Sequence, residues 1–327
     1  MPIAARRVLV TGADGFLGRS IVAALARQPD IDRVVALDVR EVSKLGRVRG
    51  VAYVTQDVRS SSFGATLREH AIDAVVHLAS IVTPGPGSTR ELAHSVDVLG
   101  SRNVLEACVA EGVRHIVVSS SGAAYGYHPD NPAWISECHA LRGNPSFAYA
   151  HHKRLVEEML ADYRERHPAL QQTVLRIGTV LGRQVRNQIS ALFDRPRILA
   201  IRGSDSPFVF VWDEDVAGCV VHSLLTARAG CFNLAGDGAL TLPQIAALLH
   251  KPMLVLPAAV ARLALAAGTW LGISRYGPEQ LDFLRYRPVL CNARLKSEFG
   301  YVPRKTSLEA LLAFKAAREE AGARRRA

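Results

Sequence analysis

No two of the five cysteines, Cys108, Cys138, Cys219, Cys231 and Cys291, stand at C-x-x-C spacing. An odd, scattered set argues against a disulfide framework and against a zinc site, and fits a reducing, cytoplasmic compartment. The histidines are dispersed as well. His151 and His152 are adjacent and are expected on different sides of a helix, as surface residues and not as ligands, so no metal site is expected. Long apolar runs are missing too. The most apolar stretch, residues 253–273, is interrupted by Pro257, Arg262, Gly268 and Gly272. It predicts a buried or surface-docking helix and no stable membrane insertion. The opening Met1-Pro2-Ile3-Ala4-Ala5-Arg6-Arg7 runs straight into a strand pattern and leaves no room for a signal peptide. Positive charge is in excess, a net +10, yet the arginines are spread along the chain. The one dense run is Arg324-Arg325-Arg326, read as a frayed basic tail over residues 321–327. No zinc-finger or RNP-type motif accompanies it, so no nucleic-acid partner is expected.

What is present is an ordinary globular composition, with 49% hydrophobic and 21% charged residues. The first half alternates short β-rich runs with helical ones. Strands are expected at residues 7–11, 33–38, 51–54, 74–78, 115–119 and 173–176, and helices at about 15–27, 89–111 and 147–166. The strands are nearly continuous apolar runs, as in a parallel sheet covered on both faces. The alternation predicts an α/β fold with a doubly wound parallel sheet. After about Val180 the rhythm loosens, which suggests a smaller C-terminal substrate lobe over the carboxyl ends of the strands.

The segment Thr11-Gly12-Ala13-Asp14-Gly15-Phe16-Leu17-Gly18 follows the first strand and opens the first helix. Gly12 suits the tight turn, Gly15 lets the main chain approach a pyrophosphate on the helix N-terminus, and Gly18 allows close helix–strand packing. Asp38 ends the second strand, where a carboxylate can accept both ribose hydroxyls and would repel a 2′-phosphate. This predicts NAD over NADP, although Arg40 lies close by.

Tyr149 and Lys153 are spaced i, i+4 on a predicted helix and share a face. An ammonium there stabilises the phenolate that a tyrosine needs to act as a base, and can also hold a nicotinamide ribose. Ser121, just past the fifth strand, can hold a substrate oxygen while Tyr149 takes or gives the proton. Ser119 and Ser120 beside it compete for that role.

Together these pieces resemble the extended short-chain dehydrogenase/reductases, the NAD-dependent epimerase/dehydratase family, over about residues 5–320. The resemblance rests on the Thr11–Gly18 loop, Asp38, Asp57-Val58, His77-Leu78-Ala79-Ser80, the Ser119–Gly126 segment, Tyr149 with Lys153, Leu175-Arg176, the Val211–Ala217 motif and Phe232-Asn233-Leu234-Ala235. It implies Ser121, Tyr149 and Lys153 as the catalytic set, and a Rossmann domain over residues 1–180 with a returning segment near 209–235. Residues 181–208 and 236–320 would then form the substrate lobe. Further cofactor contacts are implied for Phe16, Leu17, Asp57, Val58, Leu78, Ala79, Ser80 and Ser119, with Ile177, Thr179 and Val180 flanking the nicotinamide. A homodimer packed through the helices at 89–111 and 147–166 is implied as well.

Three positions depart from the nucleotide-sugar members. Thr179 and Asp97 replace Asn, and Phe208 replaces a phosphate-binding Arg. These losses lead to the expectation of an NAD-dependent dehydrogenase acting on the secondary alcohol or ketone of an apolar or mixed small molecule, with residues 255–271 as a possible greasy pocket wall or plain core. A nucleotide-sugar epimerase or dehydratase is the alternative, with Arg183, Arg186, Arg197 or Arg202 replacing the lost phosphate ligand. A non-catalytic NAD-responsive binding protein is the third reading.

Overall fold

The computed structural model describes residues 6–82, 85, 89–271, 277–278, 280 and 281–326. The expectations placed on Met1–Ala5, Ile273 and Ala327 lie outside the described residues.

Strands β1 (Arg7–Thr11), β2 (Arg33–Asp38), β3 (Ala52–Thr55), β4 (Ala74–His77), β5 (His115–Ser121) and β6 (Gln171–Ile177) are followed by β7 (Thr179–Leu181), β8 (Ile198–Ile201), β9 (Phe210–Trp212), β10 (Gly230–Leu234) and β11 (Met253–Leu256). Helices α1 (Phe16–Leu25), α2 (Phe63–Glu69), α3 (Arg90–His94), α4 (Gly100–Ala110), α5 (Ala148–Arg166) and α6 (Gln188–Asp194) alternate with them. The rest are α7 (Asp213–Thr226), α8 (Leu242–Leu248), α9 (Ala258–Trp270), α10 (Gln280–Arg285) and α11 (Ser307–Arg326).

The main sheet has seven strands in the order β10-β6-β5-β4-β1-β2-β3, and every pairing is parallel. The alternating pleat divides its side chains between two cores. Val8 and Val10 point into the layer with α1 and α7, while Leu9 points into the layer with α2, α4 and α5. Burying such a side chain is worth roughly 1.5–3 kcal/mol, so a slip by one residue would exchange the layers and is strongly opposed. Chain order reverses between β1 and β4, which opens a crevice at their carboxyl ends, the place where ligands enter sheets of this kind.

Two small parallel sheets, β7 with β9 and β8 with β11, sit with α6, α8 and α11 around a third core built on Phe193, Phe208, Phe210 and Trp212. Three expectations change here. Residues 253–256 form a strand, because Met253 to Leu256 pair with Ile198 to Ile201, and the helix begins only after Pro257. In that helix, α9, only Ala261 is buried. Leu263 and Trp270 are 71% and 86% exposed, so residues 255–271 are largely surface and not core. The basic end is no frayed tail either, since α11 continues through Arg326.

Candidate active site

The glycine loop is shaped by close approach. Gly12 has φ +66°, and a Cβ there would lie 2.9 Å from the amide nitrogen of Ala79. A Cβ on Gly18 would lie 2.2 Å from the Gly12 carbonyl oxygen. The loop is therefore clamped between β4 and the first turn of α1. Gly15 occupies the N-cap, and no side chain caps α1. Its first N–H groups and the positive end of its dipole are left for an anionic group.

On β5 the pleat separates the three serines. Ser120 donates to the buried carboxylate of Glu157, which is held in turn by Arg176 at 2.7 Å. Ser119 and Ser121 face the other way. Ser121 is the last residue of β5 and not past it, because the strand stays paired to Ile177 of β6. Its Oγ accepts from the Ala123 N–H at 3.1 Å. On α5, Lys153 lies one turn beyond Tyr149. Its Nζ donates to the Ser119 carbonyl at 2.8 Å and stands 5.6 Å from the centroid of the Tyr149 ring. The side chain is almost fully enclosed, and that one bond fixes the ammonium beside the ring.

These groups share one cavity of about 430 Å³. Gly12, Gly15, Phe16, Leu17, Gly18, Leu78, Ser80, Ser119, Ser121, Tyr149, Lys153, Ile177, Thr179 and Val180 all line it. Four of the expected cofactor residues do not. Asp38 is buried at the end of β2, where its two oxygens accept the N–H groups of Asp14 at 2.9 Å and Arg40 at 3.1 Å. Asp57 is clasped by Arg59 at 2.6 Å, a bond that pulls its carboxyl below the usual range. Val58 is buried against Gly100, and Ala79 meets the loop with its main chain, its side chain packing into the core beside α2, α4 and α5. The Oγ of Ser80 is buried and has no partner among the described residues. Such a group is costly unless a ligand satisfies it.

The other end of the cavity was not foreseen. Tyr127, Phe147, Phe208 and Phe283 line it together with Arg287. Tyr127 meets Phe283 edge-on at 5.3 Å. The Arg287 guanidinium lies 3.8 Å from the centroid of Phe208, is only 8% exposed, and donates to the Oγ of Ser206 at 3.0 Å. Its Nε has no partner, and no carboxylate pairs with it among the described residues. Burial pushes its pKa down to about 9, so it stays charged at neutral pH. A cation thus occupies the neighbourhood where Phe208 seemed to have removed one. The signal in the sequence was only Arg287-Pro288, one arginine among many.

Of the arginines named as substitutes, Arg186 lines the cavity. Arg183 pairs with Glu320 at 3.6 Å beside it, and Arg197 and Arg202 are exposed elsewhere. Residues 255–271 contribute nothing to the wall. His152 is a further correction: it is buried and bonded to Asp97, not a surface residue.

Comparison with known proteins agrees with this construction. An uncharacterised protein of Mycobacterium tuberculosis is 29% identical over 315 residues, 93% of this chain and 81% of that protein. The 3β-hydroxysteroid dehydrogenase/Δ5→4-isomerase of vaccinia virus is 28% identical over 156 residues, 46% of this chain and 44% of that one. The structure of the Thermotoga maritima UDP-glucose 4-epimerase with UDP-glucose superposes with a TM-score of 0.74 at 20% identity, covering 96% of this chain and 99% of that one; at this identity the likeness shows the fold. The profile of the NAD dependent epimerase/dehydratase family matches residues 8–230, and the chain belongs to that family.

Proposed function

We propose that the protein is an NAD-dependent enzyme that oxidises a secondary alcohol carbon of an anionic, nucleotide-sugar-like substrate, as an epimerase or dehydratase does. The observation that carries this reading is Arg287. A buried guanidinium without a carboxylate is costly in an apolar wall, and a phosphate in the cavity would relieve that cost through charge-assisted hydrogen bonds. The apolar-alcohol reading keeps the aromatic lining in its favour but loses residues 255–271 as a wall.

The glycine loop, the free N-terminus of α1 and the unpartnered Ser80 Oγ fit a dinucleotide. Asp38 retains lone pairs for ribose hydroxyls, which favours NAD over its 2′-phosphate. When bound, NAD supplies the hydride acceptor. The protein's own groups handle the proton: Ser121 Oγ orients the substrate hydroxyl, and Tyr149 Oη takes its proton. Lys153, held by the Ser119 carbonyl, stabilises the Tyr149 phenolate that accepts this proton, and the phenol formed is neutral.

The test is isothermal titration of the NAD-loaded protein with UDP, UDP-glucose, dTDP-glucose and a 3β-hydroxysteroid. Binding of the nucleotide ligands, weakened in Arg287→Met, is the expected result. Binding of the steroid alone would replace this reading by the apolar-alcohol dehydrogenase.

A further inference from the structure

Between α3 and α4 the helix widens into a π-type turn, Ser95–Leu99, which carries Asp97 inward to 3% exposure. This is the position where the family resemblance led to the expectation of Asn. One Asp97 oxygen accepts the N–H of Ile81 at 2.8 Å, and the other accepts from Nδ1 of His152 at 3.0 Å. Ile81 follows Ser80 and His152 precedes Lys153, so a single carboxylate joins the chain just behind two cavity-lining residues. His94 closes over the His152 ring edge-on at 5.5 Å.

A second run of bonds ties the same turn to the glycine loop. The Oγ of Ser101 donates to the Asp97 carbonyl. His77 Nε2 lies 3.0 Å from that Oγ, and His77 Nδ1 lies 2.8 Å from the Oγ1 of Thr11. Thr11 Oγ1 already accepts from the N–H groups of Leu78 and Ala79, at 3.2 and 3.3 Å. Its own proton therefore goes to His77 Nδ1, which leaves His77 neutral and protonated on Nε2. Burial, aided by the nearby Lys153 ammonium, lowers the His77 pKa to about 3 and keeps it neutral. His77 thus brings no positive charge to offset Asp97.

We propose that Asp97, anchored by His152, is a positioning residue that also sets the preference of the site for the oxidised over the reduced dinucleotide. The inference rests on the NAD reading above. The oxidised nicotinamide ring carries a positive charge that the reduced ring lacks. A carboxylate set just behind the wall, in a medium of low dielectric, favours the charged ring. Asn at the same position keeps an oxygen for the Ile81 N–H and offers an amide to the other tautomer of His152. It removes charge while preserving shape.

The experiment measures the dissociation constants of NAD⁺ and NADH for the wild type, Asp97→Asn and Asp97→Ala, with a thermal melt to show that each is folded. Asp97→Asn is expected to weaken NAD⁺ by about threefold to tenfold and to leave NADH within about twofold of the wild type. Asp97→Ala, which also releases Ile81, is expected to weaken both. An unchanged NAD⁺/NADH ratio in Asp97→Asn would overturn the proposal, whether the two affinities stay put or fall together, because the pair would then be only a mechanical tie. If the wild type binds neither dinucleotide, the NAD reading itself fails, and the two failures are distinguishable.

Discussion

The two ends of the cavity are built on different principles. The end at the glycine loop is made by main chain: one contiguous segment, Gly12 to Gly18, whose shape follows from the absence of side chains and whose free donors are the uncapped N–H groups of α1. The far end is made by side chains. Tyr127, Phe147, Phe208, Phe283 and Arg287 come from segments far apart in the chain and meet only through tertiary packing. A main-chain site suits a ligand part common to a whole family, since backbone geometry tolerates many sequences. A side-chain site suits the part that varies, because each ring or charge can be exchanged singly.

Tyr149 stands where the two ends meet, and its loss should have the largest effect. Tyr149→Phe is expected to lower turnover by about 10²- to 10⁴-fold while NAD affinity, measured by titration, stays unchanged. Loss of NAD binding in this variant would mean that the two ends are not separable. Arg287→Met comes next. It should weaken nucleotide-sugar binding by about 10- to 100-fold, the worth of a hydrogen bond to a charged group, yet leave NAD affinity alone. Because the variant also removes a buried unpaired cation, its melting temperature without ligand should be equal to or above that of the wild type.

Gly18→Ala makes the opposite cut. A methyl group 2.2 Å from the Gly12 carbonyl oxygen must displace the loop, so NAD affinity should fall by about tenfold or more by the same hydrogen-bond arithmetic. A nucleotide sugar would then bind the free protein as before.

The smallest effect lies away from both ends. His115, the first residue of β5, is buried with Nε2 2.9 Å from the Oγ1 of Thr173. Burial, with Arg6 nearby, lowers its pKa to about 4. The unfolded chain takes up this proton near the ordinary histidine value and the folded chain only near 4. Stability from this group is therefore complete above the unfolded value and is lost as pH falls through that interval. Melting temperature followed from pH 7 downward should decline less steeply in His115→Gln than in the wild type, with the cavity's ligands unaffected. Equal slopes would assign the acid sensitivity to other groups, His77 first among them.

The difference between the ends also explains what could be read in the sequence. The strands of the main sheet were legible because burial on both faces demands unbroken apolar runs such as Val8-Leu9-Val10. Tyr149 and Lys153 were legible because helical spacing alone puts them on one face. Ser121 was distinguishable from Ser120 only once β5 was seen to stay paired through it, since the pleat decides which serine looks into the cavity and which into the Glu157–Arg176 pair. Arg287 was hidden among arginines whose burial no local pattern records. His152 looked like half of a surface pair because the partner that draws it inward, Asp97, is 55 residues away. Residues 255–271 misled for the converse reason: hydrophobic composition implies burial, but Leu263 and Trp270 stay largely exposed.

Sequence by itself determined the parallel sheet, the glycine loop and the shared helix face of Tyr149 and Lys153, because each follows from short-range geometry: the pleat, the helical turn, and the steric freedom of glycine. Only the tertiary structure decided which charges are buried and what faces them. Desolvation depends on every element packed around a group, so the cation at Arg287 and the carboxylate at Asp97 acquire their meaning from neighbours that the chain brings together only by folding.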